Sequence, residues 1–249
     1  MAHVSFLPPY TEPALLTQQL RQRGFAVLSP AGVVQWLGCE LAQLQPLHAD
    51  WQDLPADEFL KDGGRYRYRR HSCFVVQAAT VQQVAHRAHW QPLEYNALHG
   101  GMQRWFAPMR DAIVALPVWP RLLLALADLT QALCGGAEQP WFIEAHQFRI
   151  TTEGGLGRPT PEGAHRDGVA VVAVFLLGRE RITGGETRIF EADGPAGQRF
   201  TLTEPWSLLL LDDARMIHET TPIRPEAESG WRDTLVLTCR SGGFQGDMP

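Results

Sequence analysis

The feature that most restricts how this chain folds is a change of hydrophobic period at Trp141. From there on, the apolar residues come in short runs: Phe142–Ile150, Val169–Leu177, Glu186–Phe190, Arg199–Leu202, Trp206–Leu211 and Thr234–Arg240. Turns rich in Gly, Pro and Asp separate them. Runs this short suit strands, and the spacing leaves no room for the crossover helices that a parallel sheet needs, so an antiparallel sandwich or barrel is expected. Upstream the period is mostly helical. Thr11–Arg23 carries Leu15, Leu16 and Leu20 on one face, with Pro13 near its start and Gly24 at its stop. Ser29-Pro30 caps a second helix with Val33, Val34, Leu37, Leu41 and Leu44 facing inward, and Pro117–Leu133 reads as a third. Phe25–Leu28 and the alternating Arg65–Arg70 stretch leading into Phe74-Val75-Val76 read as strands. The expectation is one domain over 1–249, α+β with a mainly β core: a mostly helical part, 1–140, packed on a β core, 141–249.

Composition narrows the class. With 45% apolar residues and eight Trp, a chain of 249 residues can bury a large single core. A net charge of −5 argues against nonspecific binding to nucleic acid or anionic membranes. Cys39, Cys73, Cys134 and Cys239 lie far apart without a C-x-x-C pair, which excludes a zinc knuckle or disulfide framework and points to a reducing cytoplasm. The start, MAHVSFLPPY, has neither the basic nor the apolar region of a secretory leader. The most apolar windows, Val169–Leu177 and Leu122–Leu129, fall well short of a membrane span.

Three elements carry chemistry. In His165-Arg166-Asp167 an imidazole and a carboxylate two residues apart project the same way from extended backbone, which suits one metal ion. By itself the pair is equally compatible with a loop His and a solvated Asp. His218 follows the apolar run Leu208–Leu211 and the turn Asp212–Arg215, and completes a two-His-one-carboxylate set of the non-haem iron(II) type, with open positions for a bidentate cosubstrate and dioxygen. A zinc hydrolase more often shows a third His or a helical H-E-x-x-H, and the latter is absent. Arg232-x-Thr234 begins the last strand; a guanidinium and a hydroxyl on one face can grip a carboxylate, although an exposed strand Arg is the plainer reading. A kinase reading of His165-Arg166-Asp167 fails for want of a Gly-rich loop and D-F-G.

With these residues in place, the chain resembles the iron(II)/2-oxoglutarate-dependent dioxygenases, especially a bacterial branch of free amino-acid hydroxylases that includes L-isoleucine dioxygenase. The matching stretches are HQFRI (146–150), PEGAHRDG (161–168), GGET (184–187), LLDDARMIHETTPI (210–223) and WRDTLVLT (231–238). The resemblance implies a double-stranded β-helix (jelly roll), with His165, Asp167 and His218 as ligands of Fe(II) at its open mouth. It implies 2-oxoglutarate and O2 as cosubstrates, Arg232 as anchor of the 5-carboxylate, with Thr234, and a small-molecule substrate, most simply a free L-amino acid. Related enzymes hydrogen-bond the cosubstrate from the strand that here carries Gln147 and Arg149; Arg149 can instead meet the substrate carboxylate, and both can equally face solvent. Gly184-Gly185 is read as structural. The Arg65–Arg70 run, with Tyr66 and Arg67, is either a pocket edge for a zwitterion or a solvated edge strand. Arg224 is the alternative to Arg232. The remaining alternative for the whole chain is a non-enzymatic metal- or ligand-binding jelly roll.

Overall fold

The fold is described here from a computed structural model, which covers residues 6–246; Met1–Ser5, within the start read above for a leader, lie outside the described residues. The strands are β1 (Phe25–Leu28), β2 (Arg67–Gln77), β3 (Thr80–Gln83), β4 (Trp141–Thr151), β5 (Val171–Glu180) and β6 (Ile182–Gly184). They continue with β7 (Thr187–Glu191), β8 (Gly197–Phe200), β9 (Leu208–Asp212), β10 (Met216–Thr220), β11 (Ile223–Pro225) and β12 (Trp231–Arg240). The α-helices are α1 (Leu16–Arg23), α2 (Pro30–Leu37), α3 (Leu41–Leu44), α4 (Asp111–Val114) and α5 (Val118–Cys134).

A seven-stranded antiparallel sheet, in the order β1-β9-β5-β12-β4-β2-β3, organises the molecule. Because side chains alternate along a strand, its two faces bury different things. One face carries Phe74, Ile143, Ala145, Phe175, Leu235 and Leu237, which pack with Leu16 and Leu20 of α1, Val33 and Leu37 of α2, and Trp119, Leu122 and Leu126 of α5. The opposite face is split. At the β1-β9-β5 end, Val27, Val172, Leu176 and Leu211 form a second core with Ile189 and Phe200 of the smaller sheet β10-β7-β8. At the β12-β4-β2 end the same face is polar and lines a cavity.

The expected strands all form, with ends shifted by a few residues. The helical expectation for 1–140 needs correction. Besides the expected β1 and β2, that part supplies β3 to the main sheet, and residues 84–110 carry neither helix nor strand beyond an isolated bridge. The first helix starts as a 3-10 turn at Pro13–Leu15 before α1, and the single helix expected after Ser29 breaks at Gly38, a left-handed cap with φ 61°, into α2 and α3. Ser29 caps α2 as expected, its hydroxyl accepting from Gly32 N at 3.1 Å.

Gly184 is structural, as its motif suggested. It has φ +77°, and a Cβ there would stand 2.2 Å from the Pro222 carbonyl oxygen, on the backbone of β11's approach. Gly38 has a similar φ of +61° but open space around it. Gly38→Ala should therefore lose only the left-handed preference, about 1 kcal/mol. Gly184→Ala should lose roughly 2–4 kcal/mol because backbone must also move. Urea unfolding midpoints measure both; equal losses would remove the role given to the Pro222 contact.

Candidate active site

His165 lies in the connection between β4 and β5, and His218 in the middle of β10. Their backbones exchange two hydrogen bonds, His165 N to His218 O at 3.0 Å and His218 N to His165 O at 2.9 Å. That isolated antiparallel pair sets the two rings side by side, with centroids 4.6 Å apart. Asp167 completes the group: its Oδ1 is 3.9 Å from His165 Nε2 and its Oδ2 is 3.8 Å from His218 Nε2. The three donor groups lie within 4.8 Å of one another. His165 Nδ1 contacts the Gly163 carbonyl at 2.9 Å, so that nitrogen carries the hydrogen and Nε2 presents its lone pair to the group.

The loop is pinned by Asp213, whose carboxylate accepts from the backbone N–H of Asp167 (2.9 Å), Gly168 (2.7 Å) and Val169 (3.1 Å). Gly168 has φ +75°, and a Cβ there would overlap the Tyr95 ring at 2.4 Å. Burial, reinforced by Asp213 and Glu162 and opposed by His165, pushes the Asp167 carboxyl up to about 6. Burial pulls His165 down, but Asp167 and Glu162 beside it prevail and raise it. Burial, then the neighbouring His165, holds His218 well below the ordinary imidazole value.

The triad opens into the cavity at the polar end of the main sheet. Arg232 and Thr234 of β12 line that cavity, as the R-x-T spacing suggested. Arg232 is 3% exposed, its Nε has no hydrogen-bond partner, and burial and then Arg179 lower its pKa to about 10, which leaves it charged at neutral pH. Arg67 also lines the cavity, its Nε bonded to Asp57 at 2.7 Å.

Three other expected site residues are not brought there. On β4 the cavity takes Glu144, His146, Phe148 and Ile150, so Gln147 and Arg149 fall on the helix-side face. Gln147 is fully buried with no hydrogen-bond partner for its amide. Arg149 instead grips Asp233 through two bonds of 2.8 and 2.7 Å and covers Trp231 at 4.9 Å. Tyr66 packs with Ile150, Ile182 and Ile223 and donates to Asp62.

The sequence reading missed a second polar cluster beside the triad. Glu144 Oε2 accepts from His71 Nε2 at 2.8 Å and His89 Nδ1 at 2.7 Å, and His146 Nε2 lies 3.9 Å away. Burial would raise the Glu144 carboxyl, but the bonds from the two imidazoles hold it well below its usual range. Burial keeps His71, His89 and His146 neutral, His89 being lowered to about 3. Arg69 Nη2 donates to His146 Nδ1 at 2.7 Å, which puts the His146 hydrogen on Nε2. Although four ligand-type residues converge here, their N–H groups already serve one carboxylate next to a guanidinium. The cluster is a clamp on an anion. Arg104 and Gln91 also belong to the cavity wall, from the irregular segment. Their only signal in the sequence was polarity in a stretch without period.

Two imidazoles and one carboxylate that could hold one metal ion open into a polar cavity that is also lined by a buried arginine, a combination that suits a mononuclear metal beside an anion. The chain matches the model of the 2OG-Fe dioxygenase family over residues 48–238, and it belongs to that family. It is an enzyme, a 2-oxoglutarate-dependent dioxygenase that uses Fe(II), 2-oxoglutarate and O2, and nothing supports the non-enzymatic alternative. The solved structure of a BsmA homologue from Methylobium petroleophilum PM1 is 50% identical over 99% of this chain and 100% of that one, with a TM-score of 0.91. IDO from Bacillus thuringiensis (20% identity, 93% and 100% covered, TM-score 0.76) shares the fold. So does the Fe(II)/α-ketoglutarate-dependent dioxygenase TqaL (18% identity, 95% and 89% covered, TM-score 0.68). No curated protein sequence matches the chain. Among the described residues no helix is long and apolar enough to cross a membrane.

The donor set fits Fe(II), since nitrogen and carboxylate ligands on one side leave the other side of an ion open. The unpartnered Nε of Arg232 fits a carboxylate.

The raised Asp167 pKa has a consequence for the metal-free protein. A carboxyl with a folded value of about 6, above its ordinary 3.8, binds its proton more tightly in the fold than in the unfolded chain. Stability is therefore lost as pH rises through that window. Asp167→Asn should raise the thermal midpoint of the metal-free protein at neutral pH, by a gain on the order of 2 kcal/mol that fades below about pH 4. The same variant should lose Mn(II) binding. A neutral-pH midpoint equal to wild type would contradict the ionised, half-buried Asp167.

Proposed function

We propose that the protein hydroxylates a free L-amino acid at an unactivated carbon, on a jelly-roll core whose mouth holds the metal. His165, Asp167 and His218 serve as its ligands, and Arg232 with Thr234 holds the 5-carboxylate of 2-oxoglutarate. The observation that carries the reading is a cavity whose wall holds, besides the triad and Arg232, further charges of both signs, Arg67, Arg104 and Glu144, together with the apolar Phe148, Val174 and Val236. A small zwitterion with an apolar body matches such a lining. Placement in the L-isoleucine dioxygenase branch draws support from the HQFRI and PEGAHRDG motifs. No disulfide joins the four cysteines, which supports a cytoplasmic setting.

When bound, the iron supplies the oxygen chemistry that couples conversion of 2-oxoglutarate to succinate and carbon dioxide with C–H hydroxylation. The chain's own groups set the geometry. Asp213 fixes the loop that presents His165 and Asp167. The buried walls exclude water, and Arg232 orients the cosubstrate by its distal end. Arg67, whose Nη2 is buried without a partner, lines the same cavity and serves the substrate.

A panel of free L-amino acids, screened for succinate formation and a product heavier by one oxygen atom, tests the substrate class. Turnover confined to peptides or nucleic acid would overturn it. His165→Ala, Asp167→Ala and His218→Ala should each abolish turnover. Arg232→Lys keeps charge but loses the planar fork, so apparent affinity for 2-oxoglutarate should fall about tenfold to a hundredfold. Arg224→Lys should leave it unchanged, because Arg224 is exposed on β11. The reverse pattern would transfer the anchor to Arg224.

A further inference from the structure

We propose that Glu144 and Arg104 are the two poles that bind the substrate, Glu144 taking an ammonium group and Arg104 a carboxylate, and that the substrate's side chain is uncharged. The inference rests on the amino-acid reading above and deepens it.

Charge pairing selects these two residues. Among the arginines of the cavity wall, Arg67 is bonded to Asp57, and Arg69 lies 3.9 Å from the same carboxylate. Arg69 is also held between the rings of Phe106 and Phe148, at 3.7 and 4.3 Å. Arg232 is given to the cosubstrate in the reading above. Arg104 is different. It is 2% exposed, Nη2 donates to the neutral amide of Gln91 at 2.9 Å, and Nε has no partner. A guanidinium this buried is stable only if an anion completes it.

Glu144 is its counterpart. Every contact that holds its carboxylate falls on Oε2, from His71, His89 and His146. This leaves Oε1 without a hydrogen-bond partner among the described residues, on a side chain that lines the cavity. The three imidazoles are neutral, so the carboxylate keeps its full charge. An N–H-rich cation that reaches Oε1 completes the pair.

The two poles are neighbours by construction. His89 and Arg104 exchange two backbone hydrogen bonds, of 2.9 and 3.0 Å. Directly opposed residues put their side chains within about 5.5 Å of each other at Cβ. His89 holds Glu144, so the acid and the arginine are brought to the same part of the cavity wall. Gln91, which accepts from Arg104, donates to Asp167 Oδ1 at 3.1 Å, so the poles stand one amide away from a metal ligand. With one charge of each sign engaged, the cavity still offers the apolar Phe148, Val174 and Val236, which suit an apolar side chain.

Calorimetric titration of the Mn(II)- and 2-oxoglutarate-loaded protein, under exclusion of air, tests this. The probes are the uncharged free L-amino acids, each with its amide and its N-acetyl derivative. At least one free amino acid should bind, with both derivatives weaker by about tenfold or more. In Glu144→Gln the preference over the N-acetyl form should disappear, and in Arg104→Gln the preference over the amide. Derivatives that bind wild type as well as the free amino acid would overturn the proposal without any variant, should either variant fail to fold. So would a free amino acid whose binding ignores both substitutions, which leaves the amino-acid reading standing. Loss of the N-acetyl discrimination in Glu162→Gln instead would move the acid pole to Glu162, whose Oε2 is also buried and unpartnered beside His165. Absence of binding by every free amino acid, with Mn(II) and 2-oxoglutarate still bound, would overturn both readings at once.

Discussion

The arrangement of this protein depends on one constraint: charges buried against a sheet must each have a partner. Bringing an ion out of water costs several kcal/mol unless hydrogen bonds or an opposite charge replace the solvent. The main sheet carries such charges on both faces. On the cavity side Asp57 serves Arg67, two imidazoles serve Glu144, and three backbone N–H groups serve Asp213. On the helix side Asp233 is fully buried and takes Arg149 and His48. The exceptions are informative for the same reason. Arg232 and Arg104 keep unpartnered nitrogens with, among the described residues, no carboxylate bonded to either, unlike Arg67, and the triad gathers a carboxyl and two imidazoles whose pKa values all depart from the ordinary.

This constraint also explains how an irregular segment is held. Residues 84–110 form no ladder, so their order comes from polar bonds and ring contacts. His89 and Arg104 pair through backbone, Gln91 takes Arg104 and Asn96, and the Asn96 side chain accepts from His99 N at 2.7 Å. Phe106 stacks on Arg69 of β2. The N-terminal half is therefore part of the active cavity, and its sheet strands and its irregular segment act on the same wall.

Much of the fold was legible because it is written in local period. The strands of the second half, α1, α5 and the cap at Ser29 follow from alternation, helical spacing and a hydroxyl before a proline. His165 with Asp167, and Arg232 with Thr234, were legible because each pair sits at a two-residue spacing, which keeps side chains on one face wherever the strand ends; His218 was legible from its place after an apolar run and a turn. Gln147 and Arg149 failed on phase. The spacing said that they share a face, but not which face, and β4 turns Glu144, His146 and Phe148 to the cavity instead. Glu144, His71 and His89 were not legible for a different reason. They meet through the pairing of β2 with β4 and the docking of residues 84–110, contacts between segments that no local pattern encodes.

The orientation of Asp167 shows how far such remote contacts reach into the chemistry. Gln91 Oε1 accepts from both Arg104 Nη2 and Asn96 Nδ2, at 2.9 and 3.0 Å. A flipped amide would set its own N–H groups against those two donors, so the Gln91 oxygen must face them and its nitrogen must face Asp167. The N–H at 3.1 Å then engages Asp167 Oδ1 and leaves Oδ2 as the oxygen nearer His218. A side chain nearly eighty positions upstream, itself fixed by the Arg104 guanidinium, thus sets which oxygen of the Asp167 carboxylate is free. The geometry of the triad is therefore not set by the sheet strands alone.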